Sequence, residues 1–184
     1  LILGSKVVLR ALNRSDMKSV LNWVNNPQIK NLTGSIFPVS EIEHEKWFES
    51  KILDPINKIF GIECKETSNM IGIIGLKNVD LISRNAEMYI YIGDLNYWGK
   101  GYGTDATDNL IEFCINDMNL HRVYLYVFDY NKRALESYKK SGFKLEGVLR
   151  ESFYRNGRYH DKLIMSVLEE DIKKDSENTN EIRM

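Results

Sequence analysis

Long apolar runs, clustered cysteines and a net charge of useful size are all missing from this chain of 184 residues. Nothing in it comes near the ~20 consecutive apolar residues that a membrane-crossing helix requires. The opening stretch LILGSKVVLR lacks the charged start and long apolar region of a secretory signal. A soluble, cytoplasmic protein is expected, with no membrane partner. Lysine and arginine number 25 against 26 aspartate and glutamate, so no long-range field favours nucleic acid, and none is expected as a partner. Cys64 and Cys114 stand far apart in apolar surroundings, with no CxxC spacing and no histidine pairing. They read as reduced, buried thiols. His44 sits in an exposed-looking helix between Glu43 and Glu45, but no second His or Cys completes a ligand set, so no metal is expected. His121 and His160 read as structural. Repeats and low-complexity linkers are absent too, which leaves a single domain over 1–172 and a charged, aromatic-free tail over 173–184.

What is present reads as alternating strands and helices. Lys6 to Ala11 is strand-like, and Asn13 to Asn25 is helix-like with Met17, Val20, Leu21 and Val24 on one face, closed by Pro27. Ser40 and Glu43 fit a capping box ahead of a second helix. Three β-rich runs follow, Ile59 to Cys64, Met70 to Leu76 and Ala86 to Ile92, with a hairpin turn at Thr67 to Asn69. A helix is expected over Thr104 to Met118, a strand over Arg122 to Phe128, and a helix from Asn131 that Gly142 closes in a left-handed cap. Two last strands, Lys144 to Tyr154 and Arg158 to Leu168, turn at Asn156-Gly157. The order β-α-α-β-β-β-α-β-α-β-β makes a mixed α/β sheet.

Between the third β-rich run and the helix after it lies YWGKGYGT, where Gly99, Gly101 and Gly103 alternate with Lys100 and Tyr102. A helix N-terminus carries unpaired N–H groups and partial positive charge, and a loop of bare backbone there lets those donors close on a phosphate. The dinucleotide fingerprint GxGxxG is not matched, and no GK[ST] of a phosphate-loop NTPase occurs. On this ground alone a purely structural turn stays open.

Together with NKRALESYKKSGF and EGVLRESFYRNGRYHDKLIMSVL, the segment YWGKGYGTDA resembles the GNAT superfamily of N-acetyltransferases, over about Lys6 to Ile172. The likeness is nearest to its ribosomal-protein N-terminal and spermidine acetyltransferase branches. It implies a mostly antiparallel sheet flanked by helices, with splayed central strands, and acetyl-CoA as cosubstrate. The superfamily motif is Gln or Arg, two residues, Gly, one residue, Gly or Ala. It falls on Trp98, Gly101 and Gly103, with Trp98 departing from it. The resemblance implies that the backbone of Gly99, Lys100, Gly101, Tyr102, Gly103 and Thr104 holds the pyrophosphate. It implies also that the pantetheine arm pairs as an extra strand with Tyr91, Ile92 and Gly93. Asn131 would donate to and accept from that arm, and equally suits a helix N-cap. Arg133 and Lys139-Lys140 would meet the 3′-phosphate or form a solvated helix face.

By the same resemblance Tyr138 is the general acid toward the departing sulfur, and a phenol of pKa about 10 is protonated at neutral pH. Glu87 is the carboxylate that removes the amine proton; a solvent-facing strand residue is the other reading. The oxyanion donor would be backbone N–H near Ile92. The acceptor pocket would come from the first two helices, their loop, and the final hairpin with Phe153, Tyr154 and Tyr159. The partner is thus an amine-bearing small molecule or a protein N-terminus: a peptide, a polyamine or an amino sugar. A homodimer is left open. A non-catalytic acyl-CoA-binding module of the same fold is the alternative, and the presence of Tyr138 and Glu87 favours the enzyme.

Overall fold

The computed structural model describes residues 1–172, and the tail expected over 173–184 lies outside them. Among the described residues the strands form one sheet of eight in the order β1-β2-β3-β4-β5-β6-β8-β7. These are β1 Ile2–Leu3, β2 Val7–Ala11, β3 Ile59–Cys64, β4 Met70–Asp80, β5 Asn85–Ile92, β6 Arg122–Phe128, β7 Lys144–Arg155 and β8 Arg158–Leu168. The helices are α1 Met17–Asn25, α2 Pro27–Thr33, α3 Glu41–Ile52, α4 Tyr102–Asn116 and α5 Lys132–Lys140.

Local chemistry sets most of the boundaries. The Ser40 hydroxyl accepts from the Glu43 amide at 3.2 Å while the Glu43 carboxylate accepts from the Ser40 amide at 2.9 Å, so the capping box opens α3 as expected. Asn156 and Gly157 carry φ of 50° and 79° at the β7–β8 turn, and Gly142 closes α5 at φ 83°. Pro27 does end α1, but it also begins α2, which the sequence reading missed. Proline lacks only an N–H that the first helical turn leaves unpaired, and Asn26 caps that turn by accepting from the Gln28 amide at 2.9 Å.

Every neighbouring pair of strands runs antiparallel except β5 and β6. A parallel pair needs a crossover, and α4 supplies it. Their ladder is short, Asn85–Glu87 against Arg122–Tyr124, and beyond it the strands part. Alternation along β5 sorts the two sides of the sheet. Ala86, Met88, Ile90 and Ile92 pack into the large core with Ala106, Leu110 and Ile111 of α4 and Leu135 of α5. Tyr89 and Tyr91 turn the other way, to a smaller core around Val20 of α1, Phe48 of α3 and Ile73.

Candidate active site

The splay of β5 from β6 opens a cleft of about 1290 Å³ into which both helical layers project. It gathers residues far apart in the chain: Glu87 and Tyr91, Trp98 and the glycines of the loop, Asn131, Arg133 and Tyr138. Gly93, Lys100 and Tyr102 do not line it.

The glycine loop is bare for reasons that can be read from its geometry. Gly99 and Gly101 have φ of 72° and 84°, the left-handed region that side chains resist, and nothing lies within 4 Å of where a Cβ on Gly99 would sit. Helix α4 starts at Tyr102, two residues before the expected Thr104, so Tyr102 to Thr104 are its first turn. Their N–H groups have no intrahelical carbonyl, and no side chain caps the end. The one carboxylate in that turn is turned away from the cleft: Asp105 accepts from the Ser5 amide and hydroxyl and from the Lys6 and Val7 amides at 2.7–3.0 Å. Burial would raise its pKa, but those four donors hold it below the ordinary carboxylate range. Lys6 braces the back of the loop, its ammonium donating to the Lys100 carbonyl at 2.9 Å. The cradle therefore fits a phosphate. Two buried hydroxyls that line the same cleft, those of Tyr91 and Thr107, have no hydrogen-bond partner among the described residues.

Trp98 takes a role that a Gln or Arg would not. Its indole N–H donates to the Ile92 carbonyl at 2.8 Å, and the Arg133 guanidinium stacks on its ring 3.6 Å from the centroid. The Gly93 amide donates to Ile71 on β4, so alternation points the backbone of Tyr91 at β4 as well and that of Ile90 and Ile92 into the gap. Of Tyr91, Ile92 and Gly93, only Ile92 presents backbone to the opening, and its carbonyl is already taken. Gly93 is bare because a Cβ there would run into the Trp23 indole. Asn131 accepts from the Ala134 amide at 3.3 Å as the N-cap of α5.

Tyr138 is buried on the inner face of α5 against Phe143, at a centroid distance of 5.7 Å. Burial pushes its phenol up to about 12, further from a thiol than the ordinary value near 10. Glu87 is also buried, not the solvent-facing residue of the other reading. It shares its side of the sheet with Tyr89 and Tyr91, on the layer of α1 to α3. Lys77 pairs with one carboxylate oxygen at 2.9 Å and the Asn78 amide donates to the other at 2.9 Å. Sequence reasoning missed both partners. A register shift in β4 between Lys77 and Asp80, with Asn78 at φ 51°, aims Asn78 at Glu87. No local pattern announces that, although an Asn inside a β-run is the kind of residue that tolerates it.

The far arm of the cleft is closed by tethers. Asn25 exchanges two hydrogen bonds with the Val39 backbone, at 2.8 and 2.9 Å, the Tyr130 hydroxyl donates to the Asn31 carbonyl at 2.7 Å, and Arg155 donates to the Ser35 carbonyl at 2.8 Å. The hairpin reaches this arm through Leu149 and Lys162. Phe153, expected there, instead stacks on Phe128 at 4.3 Å, and Tyr154 and Tyr159 meet edge to face at the exposed end. His44 is a second correction: α1 covers it, its ring meets the Met17 carbonyl at 3.0 Å, and burial lowers its pKa. Cys64 and Cys114 are free and buried. Among the described residues no group of three or more His, Cys, Asp or Glu could hold a metal ion, and no helix is long and apolar enough to cross a membrane.

Residues 6–144 match the Acetyltransferase (GNAT) domain family. The chain is 32% identical over 167 residues to the spermidine N(1)-acetyltransferase of Vibrio cholerae, which covers 91% of this chain and 95% of that protein. It is 29% identical over 163 residues to the spermidine N(1)-acetyltransferase of Escherichia coli K12, covering 89% and 86%. The crystal structure of the Vibrio cholerae enzyme in complex with CoA and spermine superposes with a TM-score of 0.84, over 91% of this chain and 98% of that one.

Proposed function

Because the chain belongs to the GNAT acetyltransferase family, we propose that its single domain, over 1–172, transfers acetyl from acetyl-CoA to a primary amine by direct attack in a ternary complex. The observation that carries this reading is the one cleft in which an uncapped helix N-terminus, a buried phenol and a buried carboxylate all open onto the gap between β5 and β6.

Acetyl-CoA supplies the acyl group and a thiol leaving group. The amides of Gly103 and Thr104 and the partial positive charge of α4 bind pyrophosphate. Arg133, held flat by Trp98, brings a fixed cation to the same rim. The Asn131 amide, whose oxygen caps α5, keeps its two N–H donors for the pantetheine arm. The open edge of β5 offers the Ile90 backbone and the Ile92 N–H, and the latter is the donor placed to stabilise an oxyanion. Glu87, oriented by Asn78, accepts the proton of the attacking amine once that amine takes the place of Lys77. Tyr138 holds a proton beside the sulfur. With its phenol near 12 and a thiol near 8.5, full transfer to the thiolate is uphill, so the hydroxyl serves chiefly by donating a hydrogen bond as negative charge builds on sulfur.

The relatives named as spermidine acetyltransferases make a polyamine the first acceptor to try, beside amino sugars and protein N-termini. The outer strand β7 exposes Leu145, Val148 and Leu149, which supports a homodimer through that edge. Thiol release from acetyl-CoA across an amine panel tests the reading. Acetyl-CoA-dependent release with at least one amine, lost in Glu87→Gln, is expected. A folded protein that binds acetyl-CoA and acetylates none of them would point to a non-catalytic acyl-CoA-binding module.

A further inference from the structure

The acceptor arm carries a charge pattern at odds with a polycation. A polyamine brings several ammonium groups, and each one taken out of water costs several kcal/mol unless a carboxylate or a set of oxygens receives it. Among the described residues three carboxylates line the cleft, Glu43, Glu87 and Glu136. Two of them are already paired with a cation. Glu43 is held away from the amine's position by its capping box, where one oxygen takes both the Ser40 amide and, at 2.7 Å, the Ser40 hydroxyl, neutral donors that leave its charge in place. Glu136 lies on α5, at the cofactor arm, and pairs with Lys139 at 3.0 Å. Glu87 alone faces the position of an incoming amine, and it holds an ammonium there already, that of Lys77.

Cations outnumber carboxylates on the same walls. Lys51, Lys77 and Lys162 line the acceptor arm against Glu43 and Glu87. Lys51 lies close enough to the Asp54 carboxylate to help hold its pKa down, whereas Lys162 ends in no ion pair among the described residues. Lys162 instead rests over the stacked rings of Phe128 and Phe153, 5.7 and 5.9 Å from their centroids. Its ammonium therefore has a place over the rings and no ion-pair partner among the described residues. The loop between α2 and α3 that roofs this arm, GSIFPV over Gly34 to Val39, has no charged residue. It leaves Ile36 and Phe37 exposed at 57% and 78% on the cleft wall.

One carboxylate at the amine's position, an apolar roof and the unpaired ammonium of Lys162 define a ligand by complementarity. We infer that the acceptor is a monoamine on a partly apolar body that also bears a carboxylate or phosphate, and that a polyamine is a poor substrate. The inference rests on the transferase reading above. In it the acceptor amine replaces Lys77 at Glu87, the body lies against Ile36 and Phe37, and the anion meets Lys162. A released Lys77 adds to the positive wall.

Two matched pairs of amines isolate the anion. Initial rates at saturating acetyl-CoA are compared for glucosamine and glucosamine 6-phosphate, for the dipeptide Ala-Phe and its C-terminal amide, and for spermidine. In at least one pair the anionic member should exceed its neutral partner in kcat/KM by about tenfold, roughly the 1.4 kcal/mol of one good ion pair, and spermidine should fall below it. The pair that shows the difference tells phosphate from carboxylate. Lys162→Ala should shrink the ratio within that pair. Ratios near one in both pairs, spermidine as the best acceptor, or a ratio that survives Lys162→Ala would each overturn the assignment while leaving the transferase reading in place. Thiol release with none of the five amines, in a protein shown by calorimetry to bind acetyl-CoA, would overturn both.

Discussion

The cofactor arm of the cleft is made of backbone, and the acceptor arm is made of side chains. At the first, left-handed glycines and the free amides of α4 shape the surface, and the side chains that help, Trp98, Arg133 and Asn131, are within one or two turns of helix ends. At the second, Glu87 is set by Lys77 and Asn78, the roof loop by Asn25 and Arg155, and Lys162 by two stacked rings. Backbone cradles depend on conformation and tolerate little change in it. Side-chain walls depend on identity, and they can be rewritten without moving the chain. A family can therefore share one cofactor arm while its members differ in acceptor.

The sharpest break between the arms should come from Tyr138→Phe. The ring still packs on Phe143, so acetyl-CoA affinity should hold while kcat falls by about 10²–10⁴, the usual cost of losing a positioned acid or donor. Steady-state kinetics beside calorimetry separates the two effects. A kcat within a few-fold of the parent, with chemistry limiting the rate, would remove the hydroxyl from the mechanism.

A smaller effect confined to the cofactor arm is expected from Gly101→Val. The φ of 84° makes a side chain there cost about 1–2 kcal/mol, and its Cβ would sit 3.7 Å from the Lys6 ammonium that braces the loop from behind, so the strain reaches the cradle through the backbone. CoA affinity should drop by about tenfold or more in a protein whose circular dichroism is unchanged, with the acceptor KM little altered. Gly103→Ala sharpens the point. Its Cβ would meet Ile92 Cγ1 at 3.6 Å, an ordinary contact, so it should be far milder. Equal losses from both would argue against the backbone cradle.

Extremes of pH should loosen the two layers in turn. The phenol of Tyr138, on the α5 side, is raised to about 12 by burial. A raised phenol favours folding in its neutral form, so that stabilisation is complete below about pH 10, the unfolded value, and is lost as pH climbs through about 12. On the α1 side, burial works to raise the Asp16 carboxyl, but the Arg10 guanidinium at 2.8 Å and the Asn13 amide hold it below its ordinary value. A depressed carboxylate contributes above about pH 4 and loses its contribution as pH falls through its lowered folded value. Urea midpoints measured from pH 2 to 12 should fall at both ends, with Tyr138→Phe flattening only the alkaline limb and Asp16→Asn only the acid one. A Tyr138→Phe variant with an unaltered alkaline limb would contradict the first assignment.

The smallest effects belong to the cysteines, which serve neither arm. Cys64→Ser and Cys114→Ser should each keep turnover within a few-fold once folding is confirmed, because transfer is direct and burial pushes the Cys114 thiol up to about 12, away from the reactive thiolate. An acetylated cysteine detected by mass spectrometry during turnover would contradict this.

Where the chain was legible, the signal was local. Ser40 and Glu43 announce α3 because a capping box closes within four residues, and Asn156-Gly157 announces the last hairpin because its turn demands positive φ. The glycine loop was legible for the same reason. Pro27 misled because one residue type both stops one helix and starts the next, and only the Asn26 cap tells which. His44 misled because its helix neighbours are charged, while its burial comes from α1, some two dozen residues away. The partners of Glu87 could not be read at all. Asn78 reaches it through a bulge, and the pairing of Lys77 with Glu87 is a matter of strand register.

The sequence by itself determined the cofactor arm: bare backbone, a helix N-terminus and a nearby tyrosine-bearing helix are properties of short contiguous segments, and conformational preference acts over a few residues. Only the tertiary structure decided the acceptor arm. Its charge balance and its roof come from contacts between α1, the loop before α3, the β4 bulge and the final hairpin, and burial and ion pairing exist only once those segments are packed together.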